Sequence, residues 1–334
     1  MFRMLRLLFD NFTLILLGVV ATATLLPAQG QGAVFFDWLT TAAIALLFFM
    51  HGAKLSRQAI VAGATHWRLH LLVFGCTFVM FPVIGVLLKP VLLPLLGEQL
   101  YMGVLFLCVL PGTVQSAIAF TSLAGGNVPA AVCSASASSI LGIVLTPLLV
   151  AALLNMQADQ AVSPLDSILS ISAQLLLPFI TGHLLRPLIG GFVDRNRAWL
   201  SKIDQGSILL VVYTALSASV VEGLWHTVSI SKLAILTLVC CVLLALVLWL
   251  TAVLGRRFGF NREDRITIIF GGSKKSMATG VPMAKVLFSG AMLGPALLPL
   301  MMFHQIQLMV CAVLAQKYAR QGEPEFNPEQ TPAP

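Results

Sequence analysis

Charge is scarce in this chain. Asp, Glu, Lys and Arg make up 10% of its 334 residues, whereas a soluble domain carries about 25%. Hydrophobic residues make up 58%, and mean hydropathy is +0.94. These values exclude an ordinary soluble globular domain and place the chain in a lipid bilayer. Acid is scarcer still. No Asp or Glu lies in the middle of any long apolar run; Asp10, Asp37, Asp166, Glu222 and Asp264 stand at their edges. The carboxylate that usually makes an intramembrane cation site is therefore missing. Metal-ligand spacing is absent among the six cysteines (Cys76, Cys108, Cys133, Cys240, Cys241, Cys311), which lie in apolar stretches and read as small packing residues. The net charge of +7 would suit nucleic acid, but the basic residues follow membrane topology instead, and no nucleic-acid partner is expected.

What the chain has is long apolar runs. A helix needs about 20 such residues to cross about 30 Å of hydrocarbon. Ten runs qualify: 10–28, 33–52, 68–88, 100–123, 127–154, 164–185, 205–222, 230–255, 264–289 and 291–316. The first has a basic start and small residues near its end, as a secretory signal does. Asp10 and Asn11 interrupt it, and it reads as a retained helix. With ten spans, both termini and the loops at 53–67, 124–126, 186–204 and 256–263 share one side. That side holds fifteen of the 20 Lys and Arg residues, against two (Lys89, Lys232) on the other. Positive residues stay cytoplasmic, so both termini are expected inside, in a cell (inner) membrane.

Ten spans divide into five and five. An odd number per half forces the halves into opposite orientations, the inverted repeat of secondary transporters. The expected organisation is a cytoplasmic N-terminus (1–9), a first five-helix repeat (10–155), a second, inverted one (156–320) and a disordered cytoplasmic tail (321–334). The fourth span of each half is interrupted. Pro111-Gly112 breaks the first, followed by Thr113, Gln115 and Ser116; Gly271-Gly272 breaks the second, followed by Ser273, Lys274, Lys275 and Ser276. Pro removes a backbone donor and Gly adds freedom. Broken backbone survives at bilayer depth only where it is buried or lines a cavity. Two breaks that meet would aim helix N-termini and freed carbonyls at one point.

The adjacent lysines sharpen this expectation. Lys274 lies nine residues past Arg265, roughly 13 Å along a helix, too deep for its side chain to snorkel to water. Lys285 is nearer the far end and snorkels. With no acid at midplane, the two ammonium groups need carbonyls, hydroxyls, water or a bound anion. Ser134 and Ser138 share one face of the fifth span, and His304, Gln305 and Gln307 lie in the tenth. The run GGSKKS lacks the G-x-x-x-x-G-K-[ST] spacing of a phosphate loop.

PGTVQSAIAFTSLAGGNVPAA with SSILGIVLTPLL, and FGGSKKSMATGVPMAKVLF with FHQIQL, resemble the fourth, fifth, ninth and tenth helices of the bile acid:sodium symporter family. Within it, the branch related to the seventh mammalian member is the most similar. The resemblance implies an all-α integral membrane protein of ten transmembrane helices. Spans 1, 2, 6 and 7 would form a panel domain; the others would form a core domain with crossed, broken helices 4 and 9. It implies alternating access and Na+ as a coupling ion, with no other cofactor. The chain departs from the family's sodium site at Ala117, Ala131, Ala135 and Phe270.

The expected function is secondary transport of a small organic anion, coupled to sodium or protons. The expected site comprises Pro111, Gly112, Thr113, Gln115, Ser116, Ser134, Ser138, Gly271, Gly272, Ser273, Lys274, Lys275, Ser276, His304 and Gln305. Two other classes stay open at this stage. One is a transport-inactive regulatory protein of ion (calcium) homeostasis, which the resemblance implies. The other is a membrane hydrolase with a Ser–Lys dyad at Ser273 or Ser276.

Overall fold

The computed structural model describes residues 11–54, 66–154, 164–288 and 292–321. The expected N-terminus 1–9 lies outside them, as does the expected tail apart from Gln321. Among the described residues every regular element is a helix and no strand occurs. The first half contains Asn11–Leu25 (α1), Gly30–Lys54 (α2), Trp67–Leu87 (α3), Lys89–Leu96 (α4), Glu98–Val109 (α5), Gln115–Leu123 (α6) and Val128–Leu153 (α7). The second contains Pro164–Arg195 (α8), Arg197–Val221 (α9), Leu224–Thr227 (α10), Ile230–Arg257 (α11), Arg262–Gly272 (α12), Met277–Leu287 (α13) and Leu293–Arg320 (α14).

Seven of these are long and apolar enough to cross a membrane by length and composition: α2, α3, α7, α8 from Leu175, α9 from Ala198, α11 and α14. The chain is an integral membrane protein. Two of the ten expected runs, 100–123 and 264–289, each form a pair of short helices separated by non-helical backbone. Elsewhere the boundaries move. The expected link at 89–96 is helical, with Pro90 in its first turn, where no N–H is missed. Helix α8 runs past Arg186 to Arg195, through the first part of an expected loop. Charge there ends the apolar run, not the helix. Beyond it, Val193 and Leu200 bury against Met50 and Ala53, and the Arg186 guanidinium donates to the Ala53 carbonyl.

Side-chain caps fix several starts. Asn127 caps α7, Ser229 caps α11, Asn261 caps α12 and Ser276 caps α13, each accepting from an N–H of the first turn. Gly125 has φ +70° in the turn between α6 and α7, a conformation that favours glycine. A Cβ on Gly126 would lie 2.7 Å from Ile266 and Thr121 side-chain atoms. That close turn lets Asn127 reach the start of α12. Its amide donates to the Asp264 carboxylate at 2.8 Å, and its backbone N–H donates to the Glu263 carbonyl at 3.2 Å.

The helices form two groups. Helices α1, α2, α8 and α9 pack on one another. Helices α2 and α8 touch backbone to backbone: a Cβ on Gly52 would lie 1.9 Å from the Phe179 carbonyl oxygen, and one on Gly182 would lie 2.0 Å from that of Phe49. Small residues permit this approach in membranes. In the second group, α5 packs on α14 and α7 packs on α12, so each half contributes to the other. Gly103 of α5 rests on Pro295 of α14. Between the groups, Lys285 of α13 pairs with Asp37 of α2, and Gly294 of α14 lies against Ser219 of α9.

A methyl group at position 103 would stand 2.1 Å from the Pro295 oxygen. Gly103→Ala should therefore destabilise the detergent-purified protein by about 1–3 kcal/mol, seen as a lower melting temperature. Gly191→Ala, with nothing within 4 Å, should leave melting unchanged.

Candidate functional site

Helix α5 stops where its hydrogen bonding stops. Pro111 has no N–H, so Cys108 O loses its i+3 partner. The i+4 partner, Gly112 N–H, donates instead to the Ser138 hydroxyl at 3.1 Å. Cys108 O is thus free. Val109 O is taken by the Thr146 hydroxyl at 2.9 Å. A third carbonyl is released in α3, which contains a π-helical turn over Cys76–Met80. Phe81 N–H skips Thr77 O and bonds to Cys76 O; the next residue, Pro82, has no N–H to offer. Thr77 O, Cys108 O and Leu110 O all accept from one donor, the Lys275 ammonium.

Lys275 is wholly buried, with Nζ 2.8 Å from Thr77 O, 2.8 Å from Cys108 O and 2.7 Å from Leu110 O. Its three N–H bonds match three oxygens. The Phe81 ring centroid lies 4.2 Å away. Burying a Lys at the helix centre costs about 2.5–3.5 kcal/mol on the insertion scale. Hydrogen bonds to a charged group contribute about 1.5–3 kcal/mol each, so three offset that cost. The main chain of Lys275 is held as firmly. Its N–H donates to Gln307 Oε1 at 2.9 Å, and its carbonyl accepts from Gln307 Nε2 at 2.8 Å. Ser276 N–H donates to Pro111 O at 2.9 Å. The two interrupted segments, 110–114 and 273–276, therefore touch.

Lys274, also wholly buried, points the other way. Its ammonium donates to Ser116 O at 2.9 Å and lies 4.1 Å from the Phe120 ring centroid and 5.1 Å from that of Phe270. Cation–π contact of this kind contributes about 2 kcal/mol when desolvated. One carbonyl and two rings leave donor capacity that Lys275 does not have.

The structure brings Pro111, Gly112, Ser116, Ser138, Lys274, Lys275 and Ser276 into one contact network. Thr113 joins it through a 2.8 Å hydrogen bond to the Ser116 hydroxyl. Gln115 is exposed beside it. Gly271 and Gly272 end α12, where the Gly271 carbonyl approaches Gly112 and a Cβ on Gly272 would meet Cys76. Ser273 donates back to Ile269 O at 2.5 Å. Ser134 turns to α3 and bonds His70 Nδ1 at 2.6 Å. His304 and Gln305 are partly buried on α14, with His304 Nδ1 2.9 Å from Gln307 Nε2. Both ammonium groups go to main-chain carbonyls rather than to Ser273 or Ser276, which gives a Ser–Lys dyad no geometric support. Ala117, Ala131, Ala135 and Phe270 are buried and bring no side-chain oxygen. Sequence reasoning left Thr77, Cys108, Phe81 and Phe120 out of the site. Thr77 had no direct signal in the sequence: in an α-helix Pro82 would free Phe78 O, and only the π register shifts the missing amide to Thr77 O.

Lys275→Met leaves three buried carbonyls without a donor, at about 1–3 kcal/mol each; Lys274→Met leaves one that its own helix can use. The melting temperature should fall steeply in the first variant and by much less in the second. Equal losses would contradict the assigned contacts.

The model of the SBF-like CPA transporter family matches residues 10–320. The chain is 65% identical over 318 residues to "Uncharacterized protein PA2026" of Pseudomonas aeruginosa, covering 95% of each chain. It is 58% identical over 324 residues to "Putative symporter YfeH" of Escherichia coli (strain K12), covering 96% of each. It is 31% identical over 304 residues to "Sodium/bile acid cotransporter 7" of Xenopus tropicalis, covering 89% of this chain and 88% of that one. The chain belongs to the SBF-like CPA transporter family, the bile acid:sodium symporter relatives that its broken helices resemble.

Proposed function

We propose that the protein is a secondary active transporter that carries a small organic anion by alternating access, driven by a sodium or proton gradient across the inner membrane. One observation carries this reading: two interrupted segments meet around a pair of buried ammonium groups with no acid beside them among the described residues. Helices α6 and α13 begin at that junction, and helix N-termini favour anions. Lys274, with spare donors, supplies the charge for the substrate; Thr113, Gln115, Ser116, His304 and Gln305 supply polar contacts. Lys275 is fully engaged and acts as a fixed cation of the scaffold. Relatives named as symporters and cotransporters support transport rather than enzymatic chemistry.

The ten-span, inverted-repeat reading treats α5 with α6, and α12 with α13, as single traverses. It is supported by matching lengths: 12, 9 and 26 residues in α5, α6 and α7, against 11, 11 and 28 in α12, α13 and α14. It is supported also by the cross-packing of α5 on α14 and α7 on α12. Helices α1, α2, α8 and α9 form the panel; the others form the core. The Asp37–Lys285 pair joins panel to core and must open when they move. An exposed pair contributes about 0–1 kcal/mol, weak enough to break in each cycle.

In proteoliposomes tested with a panel of labelled organic anions under sodium and proton gradients, Lys274→Met should lower uptake by at least about tenfold while the protein stays folded. Wild-type levels in this variant, or no uptake of any anion by the wild type, would refute the reading. Asp37→Lys should slow uptake, and Asp37→Lys with Lys285→Asp should recover part of it; no change in either would remove the pair from the cycle.

A further inference from the structure

The hydrogen bonds around Gln307 fix a proton. Its carboxamide oxygen accepts from Lys275 N–H, so the atom facing the Lys275 carbonyl and His304 is the NH2 group. That nitrogen has two protons. One goes to Lys275 O at 2.8 Å and the other to His304 Nδ1 at 2.9 Å. Backbone donors and acceptors cannot be exchanged, so the amide orientation is not a free choice. His304 Nδ1 must therefore be an acceptor with a lone pair, and the neutral imidazole carries its proton on Nε2.

A proton taken up at Nδ1 turns this acceptor into a donor. Two donors then face each other across 2.9 Å. Either the imidazole leaves or the carboxamide rotates. Rotation would set its NH2 against Lys275 N–H, breaking the clamp on the segment that holds both lysines. Gln307 is wholly buried, so water does not replace the lost bonds, whereas His304 is partly exposed and can exchange protons. Among the described residues, the buried titratable groups on the elements packed against α14 are Tyr101 and Cys108 of α5, Asp204 of α9 and Cys240 of α11, with the two lysines in the segment between α12 and α13; α6 has none. Among charged groups farther along α9 and α13, Asp204 is held by Lys54 and Lys285 by Asp37. Donor facing donor links proton binding to clamp opening wherever the imidazole stays in place and the carboxamide turns.

We propose that His304 binds the coupling proton and that Gln307 is the positioning residue that passes its state to the Lys274–Lys275 segment. This rests on the transport reading and names its coupling ion.

The test is hydrogen–deuterium exchange of the full-length protein in lipid nanodiscs, read by mass spectrometry over residues 268–287 and corrected for intrinsic rates. In the wild type, protection should fall on the order of tenfold between about pH 7.5 and about pH 5.5, the imidazole range. His304→Gln keeps an acceptor for Gln307 but takes up no proton; its protection should be high and independent of pH. Gln307→Ala should exchange fast at both values. An acid response that persists in His304→Gln, or a wild type with none, overturns the proposal. Exchange is read without substrate, so the outcomes separate: a pH response in protein that moves no anion keeps the clamp and removes the transport reading, and proton-independent anion uptake does the reverse.

Discussion

The site depends on one ammonium group and three carbonyls. Lys275 sits where α5 ends, where α3 loosens into a π turn and where α12 gives way to α13, and it bonds to the first two of these places. None of those interruptions is stable alone in hydrocarbon, since each exposes main-chain groups that must be satisfied internally. Nor is the lysine stable alone there. Each supplies what the other lacks. The released oxygens come from two proline-linked breaks of the first half, at Pro82 and Pro111, and the side chain that fastens them belongs to the second half.

This arrangement separates two tasks that adjacent lysines would otherwise share. Lys275 is saturated and structural. Lys274, in the non-helical segment 273–276 beside it, has one carbonyl and two aromatic rings and retains capacity for a ligand. Ser138 contributes indirectly: by taking the Gly112 N–H it leaves Cys108 O for the ammonium. A hydroxyl expected from its position to touch substrate thus serves the backbone.

Much of this was legible in the sequence. Apolar runs, charge asymmetry and paired Gly or Pro breaks gave the membrane class and pointed to the segments that touch, because burial in lipid punishes every exception. Lys274 and Lys275 stood out because no acid accompanied them. Less visible was the direction of each side chain, which follows from the turn between Gly272 and Ser276 and not from residue type. Thr77 and Cys108 act through carbonyls, which any residue has; Pro82 and Pro111 mark the neighbourhood, while the π turn and the Ser138 hydroxyl decide which oxygen is freed. Ser134 shows the limit of helical spacing: it shares a face with Ser138, yet His70 of α3 takes its hydroxyl. Helix α8 outran its expected end because basic residues end the apolar run, whereas burial of Val193 against Met50 and Ala53 carries the helix on.

The central claim is that the three carbonyls form a cation site filled by the protein's own lysine. Chemical rescue tests it most directly. Lys275→Ala removes the ammonium and the three carbons that carry it, and propylammonium supplies the same four heavy atoms. Melting of the purified variant titrated with propylammonium or alkali cations should rise saturably toward the wild-type value, while the wild type ignores both. A variant that melts like the wild type with no added cation would contradict the account.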